Sequence, residues 1–313
     1  MADEKVPLLL DTDIGSDIDD AVCLAYLLRQ PRCELLGVTT VSGKPRERAA
    51  LADAVCRAAG RNDMPIHAGN DVGLLRGVVQ PECGQAAILP RFPHRKPEEF
   101  PPYTAVQFLR EQIHRRPGAI TLLTIGPLTN IGLLFSLDPE VPRLLKRLVL
   151  MCGVFTNRLA GVGPLEWNAL CDPLATAMVY RAPVATHVSI GLDVTCQCRM
   201  PCAEAIRRFK ETGGPLSVVA AATEVWSKHA EKVTFHDPLA ATVCFQPELC
   251  GYEDGLVEVE LKSERLAGMT HFNPRAETKP HRVAVTVKPD EFFGHYFGTA
   301  AGEGAKTAKR RRR

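Results

Sequence analysis

The chain of 313 residues is 45% hydrophobic and 24% charged, a balance typical of globular proteins that excludes the disordered and fibrous classes. Its formal net charge is +2, but six basic residues lie in the terminal stretch 306–313, and without them 32 basic residues face 36 acidic ones. We interpret residues 301–313 as a disordered basic tail, so the charge does not indicate a protein that binds nucleic acid.

Targeting signals and disulfide patterns are not evident in the sequence. No charged-then-apolar signal pattern precedes the first hydrophobic run, and no apolar run approaches the ~20 residues that span a bilayer. The eleven cysteines are scattered, as is typical of reduced thiols, and the tight group Cys196, Cys198 and Cys202 lacks the spacing of a zinc site. We therefore expect a cytoplasmic protein that does not enter a membrane.

Short apolar runs alternate with amphipathic stretches through the first half of the chain. The runs 6–10, 35–41, 120–125 and 148–151 have the length of buried strands, and helical patterns follow them at 19–28, 46–59, 128–134 and 173–180. Alternation of this kind predicts parallel strands joined by crossover helices. The predicted fold is a single α/β domain over residues 1–300, with an open, mostly parallel central sheet flanked by helices.

The second half continues less regularly. It contains a predicted strand at 184–194, helices at 202–210 and 216–230, alternating strands at 255–262 and 282–287, and a short helix at 290–297. The charged, proline-rich segment 90–102 is predicted to be a long surface loop, of the kind that often forms a lid or binding loop.

Five carboxylates follow the first strand within ten residues. Like charges this close raise one another's pKa unless a cation neutralises them, and an all-oxygen ligand set favours Ca²⁺ or Mg²⁺. A helix dipole can explain one or two carboxylates at a helix start, but not the first two, which lie on the strand side. The sequence therefore predicts a metal site within the run Asp11, Asp13, Asp17, Asp19 and Asp20.

Three other segments carry polar residues at chemically useful positions. His236 and Asp237 adjoin each other in a segment that follows an amphipathic stretch, and they are candidates for ligands from a distant part of the chain. Glu166 and Asn168 precede a helix that Asp172 is expected to cap, and they are candidates to hydrogen-bond a polyhydroxylated ligand. Residues 125–130 form a strand exit, which is either a turn before a capped helix or a loop that lines a site.

These segments together resemble the nucleoside hydrolase family of the inosine–uridine type, which cleaves N-glycosidic bonds. The resemblance spans about residues 6–297 and rests on Asp-Thr-Asp-Ile-Gly-Ser-Asp-Ile-Asp-Asp, Gly-Pro-Leu-Thr-Asn, Met before Cys-Gly, Glu-Trp-Asn with Asp-Pro, and His-Asp-Pro, in family order. It implies Ca²⁺-dependent hydrolysis of ribonucleosides to free nucleobase and ribose, in a homodimer or homotetramer.

The resemblance also implies roles for individual residues. Asp13 would activate a metal-bound water as general base, and His236 would protonate the leaving base or only orient it. The Ca²⁺ ligands would be Asp13, Asp20, Asp237 and the backbone carbonyl of Ile125. The substrate contacts would be Asp19, Glu166 and Asn168 at the ribose hydroxyls, Met151 near the sugar, and Trp226 and His229 at the base.

Two positions depart from the family pattern. Lys44 follows Gly43 where the family commonly has an amide, and Val162 follows Gly161 where Gly-Asn is usual. Lys44 is therefore a candidate sugar-side contact that either favours an acidic substrate or pairs with one of the carboxylates. The segment 69–102, on the side of the nucleobase, contains no motif that can be aligned, so the preferred base stays open.

Two other functions fit parts of the pattern. A Mg²⁺-dependent phosphohydrolase would use Asp11 as an aspartyl nucleophile, but it gives no task to the distant Asp237. A ribose- or nucleoside-binding protein would keep the pocket and have lost turnover through the changes at Lys44 and Val162.

Overall fold

The computed structural model describes residues 4–156 and 158–302. Its strands are β1 (Val6–Thr12), β2 (Cys33–Thr40), β3 (Ile66–Ala68), β4 (Thr121–Thr124), β5 (Arg147–Met151), β6 (His187–Ile190), β7 (Arg199–Pro201), β8 (Lys232–Thr234), β9 (Cys250–Val259), β10 (Thr270–Asn273) and β11 (His281–Val287).

The α-helices are α1 (Asp19–Arg29), α2 (Pro45–Ala58), α3 (Ala105–Arg115), α4 (Thr129–Leu137), α5 (Val141–Leu144), α6 (Trp167–Cys171), α7 (Pro173–Arg181), α8 (Leu192–Thr195), α9 (Cys202–Thr212), α10 (Pro215–Trp226), α11 (His236–Thr242) and α12 (Pro289–Ala300). Short 3₁₀ helices occupy Gly84–Arg91, Pro97–Glu99 and Pro247–Leu249.

Nine of these strands form one sheet, in the order β10-β9-β11-β6-β5-β4-β1-β2-β3. The strands from β11 to β3 are paired in parallel, whereas β9 pairs antiparallel with both β11 and β10 at one edge. Strands β7 and β8 form a separate antiparallel pair. The predicted fold class, an open and mostly parallel sheet flanked by helices, is confirmed.

Strand β1 lies inside this sheet and leads directly to the acidic run. Leu8, Leu9 and Leu10 are fully buried, and Leu9 belongs to a different hydrophobic cluster from the other two. Since successive side chains of a strand point to opposite faces, helices must cover both faces of the sheet here. The neighbouring strands β4 and β5 run parallel to β1, so their carboxyl ends open at the same edge.

Several predicted boundaries are wrong. The strand predicted at 184–194 covers only His187–Ile190 and is followed by the short helix α8, because a continuous apolar run does not distinguish a strand from a helix. Helix α10 ends at Trp226, since the polar residues that follow cannot extend its buried face. The pattern predicts no helix at α3, although Leu109 and Ile113 are buried at helical spacing.

The segment 90–102 contains a 3₁₀ helix and is tied to the rest of the fold. Phe100 is buried, and the backbone and side chain of Arg95 both donate to the buried carboxylate of Asp53 on α2. Among the described residues no helix is both long and apolar enough to cross a membrane. Of the predicted tail, residues 303–313 lie outside the described part of the chain.

Candidate active site

A cavity of about 750 Å³ opens where β1, β4 and β5 end, and its volume is within the range of small-molecule binding sites. Most of the side chains predicted from the sequence line it, although they come from segments far apart in the chain. They are Asp13, Asp19, Asp20, Ile125, Met151, Glu166, Asn168, Trp226, His236 and Asp237.

Three buried aspartates lie together where helices α1 and α11 begin. One carboxylate oxygen from each of Asp19, Asp20 and Asp237 lies within 4.8 Å of the other two. The backbone N–H of Asp237 donates to Asp19 Oδ2 at 3.1 Å across 218 positions of the chain, and the Thr12 hydroxyl donates to Asp20. Burial raises the pKa of all three carboxyls well above the ordinary value, and repulsion from neighbouring aspartates, Asp13 included, raises it further.

This aspartate cluster has the chemistry of a site for a hard cation. Its donors are carboxylate oxygens, each residue is at most 3% exposed, and ionising them together in this setting is unfavourable without a positive charge. The cluster therefore fits a bound metal ion. The carboxylate oxygens group Asp19 with Asp20 and Asp237, whereas the family resemblance assigns Asp19 to the ribose.

Asp13 is buried directly after β1, beside the cluster. Burial raises the pKa of its carboxyl, while the charge of Arg48 and hydrogen bonds with Gln80 and Asp20 act in the opposite direction. Asp17 also lines the cavity, and burial raises its pKa to about 6. Asp17 is thus a cavity carboxylate to which the resemblance gives no role.

Asp11 lies beneath the cavity and is not part of its lining. It is fully buried, its Oδ1 accepts from Thr39 Oγ1 at 2.5 Å and Asn130 Nδ2 at 2.8 Å, and burial raises its pKa to about 7. These contacts tie β1 to β2 and α4. The position does not support a nucleophile that must reach a substrate.

Asn168 and Glu166 hold the backbone at the far side of the cavity. Asn168 Nδ2 donates to the carbonyls of Ile125 at 2.8 Å and Met151 at 3.0 Å. Glu166 caps α6 by accepting from the backbone N–H groups of Asn168 and Ala169, and it also accepts from Gly153. Glu166 is therefore also the N-cap of α6, a role that the sequence did not indicate because the helix is too short to recognise by periodicity.

His236 is the first residue of α11, and its ring is fixed from one side. Its Nδ1 lies 2.7 Å from Thr195 Oγ1 on α8, which leaves Nε2 for the cavity. Burial lowers the pKa of His236 to about 4, and the charge of Arg199 contributes in the same direction. The imidazole is neutral at pH 7.

Trp226 lines the cavity, and its buried Nε1 has no hydrogen-bond partner among the described residues. Lys44 and His229 are not brought to the cavity. Lys44 Nζ lies 3.0 Å from Glu82 and 3.7 Å from Glu47, beside a separate pocket of about 360 Å³. His229 is exposed beyond the end of α10, outside the cavity lining.

The segment 79–84, which we call the base-side segment, forms a wall of the cavity. It lies within the stretch 69–102 that the resemblance places beside the nucleobase, but none of its residues was predicted individually. Val79, Gln80, Glu82 and Gly84 belong to its lining. Gln80 contacts Asp13 and also accepts a long hydrogen bond of 3.5 Å from Trp167 Nε1. The segment has neither periodicity nor a motif, so no sequence signal identified it.

The comparisons with known proteins agree with this geometry. A family model described as inosine-uridine preferring nucleoside hydrolase matches residues 8–294. An uncharacterised protein of Schizosaccharomyces pombe is 33% identical over 306 residues, which cover 91% of this chain and 96% of that protein. Uridine nucleosidase 1 of Arabidopsis thaliana is 28% identical over 304 residues, which cover 90% of this chain and 88% of that protein.

Among solved structures, the plant nucleoside hydrolase PpNRh1 matches with a TM-score of 0.81 and 22% identity, over 96% of this chain and 99% of that one, which is a likeness of fold. The family match covers nearly the whole chain and includes all three residues of the aspartate cluster. The chain therefore belongs to the inosine-uridine preferring nucleoside hydrolase family, and it is an enzyme of the N-ribohydrolase type.

Proposed function

We propose that the protein hydrolyses the N-glycosidic bond of ribonucleosides in a Ca²⁺-dependent reaction that releases free nucleobase and ribose. The observation that carries this proposal is the convergence of Asp20 and Asp237, from opposite ends of the chain, beside Asp13 in one cavity. A site that contains both a cation cluster and an adjacent carboxylate base has the groups needed for metal-assisted hydrolysis.

The residues that would hold the cation are Asp13, Asp20, Asp237 and the carbonyl of Ile125. Ca²⁺ accepts six to eight oxygen ligands in flexible geometry, whereas Mg²⁺ requires a near-ideal octahedron, so a mixed carboxylate and carbonyl set that also admits substrate hydroxyls favours Ca²⁺. When bound, the cation supplies charge neutralisation, orientation of the ribose hydroxyls and a lowered pKa for coordinated water.

Asp13 acts as the general base. Its buried carboxylate removes a proton from the attacking water. Water then attacks C1′ as the glycosidic bond breaks, and the sugar passes through an oxocarbenium-like transition state. The surrounding carboxylates stabilise the positive charge that develops on the ring.

His236 assists departure of the nucleobase. Protonating its ring at pH 7 would cost about 4 kcal/mol, since one pKa unit corresponds to about 1.4 kcal/mol and the pKa is about 4. We therefore assign it a hydrogen-bond donor role from Nε2, with Nδ1 accepting from the Thr195 hydroxyl. Full proton transfer from His236 to the nucleobase would require the bound substrate to raise the pKa of His236. Trp226, which also lines the cavity, is a second candidate contact for the base.

The ribose contacts are Asp19, Glu166 and Asn168, with Met151 packing near the sugar. The backbone N–H of Asp237 occupies only one carboxylate oxygen of Asp19, which leaves the other for a ribose hydroxyl. Asn168 donates to two carbonyls through its amide nitrogen, which leaves its Oδ1 to accept from the sugar. The departures at Lys44 and Val162 lie outside the cavity lining, so they give no support to a binding protein that has lost turnover. Homodimeric or homotetrameric assembly and a cytoplasmic location remain predictions.

The test is a panel of purine and pyrimidine ribonucleosides incubated with purified enzyme, with and without a Ca²⁺ chelator. Base release, followed by chromatography, is expected for at least one nucleoside and only when the metal is present. No release from any nucleoside would overturn the proposed activity. Asp13→Asn separates catalysis from binding, because it should slow release by about 10²–10⁴-fold, whereas a binding protein would show no release to lose.

A further inference from the structure

Arg48, on α2, is the bulkiest of the fully buried side chains among the described residues. Its guanidinium is hydrogen-bonded to five backbone carbonyls and one hydroxyl, and to no carboxylate. Burying a charge is costly unless it is well hydrogen-bonded, so a chain that only needed to fill this volume would use an apolar residue. The arrangement therefore indicates a specific task for the guanidinium.

The guanidinium joins three segments of the chain. Nη1 donates to the carbonyls of Asp13 and Ile14 and to Ser16 Oγ, in the loop 13–17, which we call the metal-side loop. Nη2 donates to the carbonyl of Glu82 at 3.1 Å, in the base-side segment. Nε donates to the carbonyl of Ser42 at 2.7 Å, beyond the end of β2. One side chain thus connects the loop of the proposed general base with the base-side wall of the cavity.

The metal-side loop and the base-side segment also touch directly. Gly15 has φ +116°, and a Cβ there would lie 2.3 Å from Cys83 Sγ, so only glycine permits this approach. Ser16 Oγ donates to the carbonyl of Glu82 at 3.1 Å, and the backbone N–H of Gln85 donates to the Gly15 carbonyl at 3.1 Å. The two segments therefore share one junction, and Arg48 lies at its centre.

We propose that Arg48 is a positioning residue for the hydrolysis, which holds the base-side segment against the metal-side loop and so fixes the wall that faces the leaving base relative to Asp13. This inference rests on the proposed function. Arginine suits the task because its planar group presents five N–H donors in a fixed fork, whereas lysine has three donors on a compact ammonium. Arg48→Lys keeps the positive charge but loses the hydrogen bonds that join the two segments.

The test compares Arg48→Lys with Arg57→Lys, a matched control on the same helix. Arg57 pairs with Asp53 at 2.6 Å and contacts neither segment of the junction. In Arg48→Lys, amide hydrogen exchange in residues 79–85 should accelerate at least about tenfold, because the segment opens locally. The value of kcat/KM should fall by about 10–100-fold, as expected when a catalytic site is displaced by about 1 Å. Arg57→Lys should change neither quantity.

Two further measurements separate a positioning role from general destabilisation. The KM for nucleosides should rise in Arg48→Lys, while the Kd for ribose, which does not reach the base-side wall, should change less than about threefold. Ser16→Ala removes a hydroxyl shared by Arg48 and the Glu82 carbonyl, and it should show the same pattern more weakly, even if Arg48→Lys does not fold.

Unchanged exchange in residues 79–85 in the folded variants, or equal losses of ribose and nucleoside binding, would overturn the proposal. Hydrogen exchange does not depend on turnover. If the wild-type protein releases no base from any nucleoside, the proposed function fails, while the exchange result still decides whether Arg48 holds the junction.

Discussion

Asp20→Asn should stabilise the metal-free protein and destabilise the metal-loaded one. Asp20 shares the cluster with Asp19 and Asp237, and two unit charges 4.8 Å apart repel by about 3 kcal/mol at an effective dielectric constant of 20. Because the raised pKa values let a carboxyl take up a proton, part of this repulsion is already relieved. The expected gain in the free energy of unfolding without metal is therefore about 1–3 kcal/mol at pH 8.

With bound metal, the wild-type protein should have the larger free energy of unfolding and Asp20→Asn the smaller one. A cation at a thousand times its Kd stabilises the folded wild-type protein by about 4 kcal/mol, and the variant lacks one charged ligand for it. The assay is denaturant unfolding at pH 8, with a chelator and with saturating Ca²⁺. If Asp20→Asn is less stable than wild type in the chelator, or is still the more stable protein with Ca²⁺, the view that repulsion in the cluster is relieved by a bound cation is refuted.

Asp53→Asn is the control for this experiment. Asp53 is also a buried aspartate, but it is paired with Arg57 and Arg95 and lies away from the cavity. Removing one partner of a buried ion pair costs up to about 3–5 kcal/mol. The variant should therefore lose stability equally with and without Ca²⁺.

Three further predictions concern the catalytic groups and the buried histidines. Asp13→Asn should lower kcat for base release by about 10²–10⁴-fold with an unchanged circular dichroism spectrum, and a smaller loss would remove Asp13 as the base. His236→Gln should slow release of a nucleobase more than release of p-nitrophenolate from p-nitrophenyl riboside, which leaves without a proton, and equal slowing would exclude a role at the leaving group. Burial lowers the pKa of both His187 and His281, so their neutral forms stabilise the fold above the unfolded pKa of about 6.5 and this stability is lost as pH falls below it. His187→Phe, which keeps the stacking on Tyr180 and removes two unpartnered ring nitrogens, should flatten the dependence of unfolding free energy on pH between 7 and 5, and an unchanged slope would contradict this.

The sequence predicts the fold where a single period dominates. Strand β1 is a short apolar run that ends at polar residues, and the helical patterns after the first strands repeat at the spacing of a buried face, so the parallel sheet follows from local rules. Strand β3 and helix α6, with three and five residues, are too short for a period to appear. They depend on tertiary contacts, such as the cap that Glu166 provides.

The same limit applies to the site. Five carboxylates after a strand indicate a cation because their crowding is unfavourable in water, which is a local argument. Arg48 and Gln80 show no comparable signal, since an arginine in the first turns of an amphipathic helix is usually exposed, and an amide in a segment without periodicity is usually a solvated loop residue. Their positions follow from how three loops meet, which spacing along the chain does not encode.

The most direct test of the central claim, that Asp237 completes a cation site on which hydrolysis depends, is recovery of activity after chelation. Ribose release should cease when wild-type enzyme is stripped of metal and return along a single-site saturation curve as Ca²⁺ is added. In Asp237→Asn the midpoint of that curve should move to at least about tenfold higher Ca²⁺, as expected when one charged ligand is lost. Full activity in the chelated wild-type enzyme, or an identical midpoint in the variant, would contradict the claim.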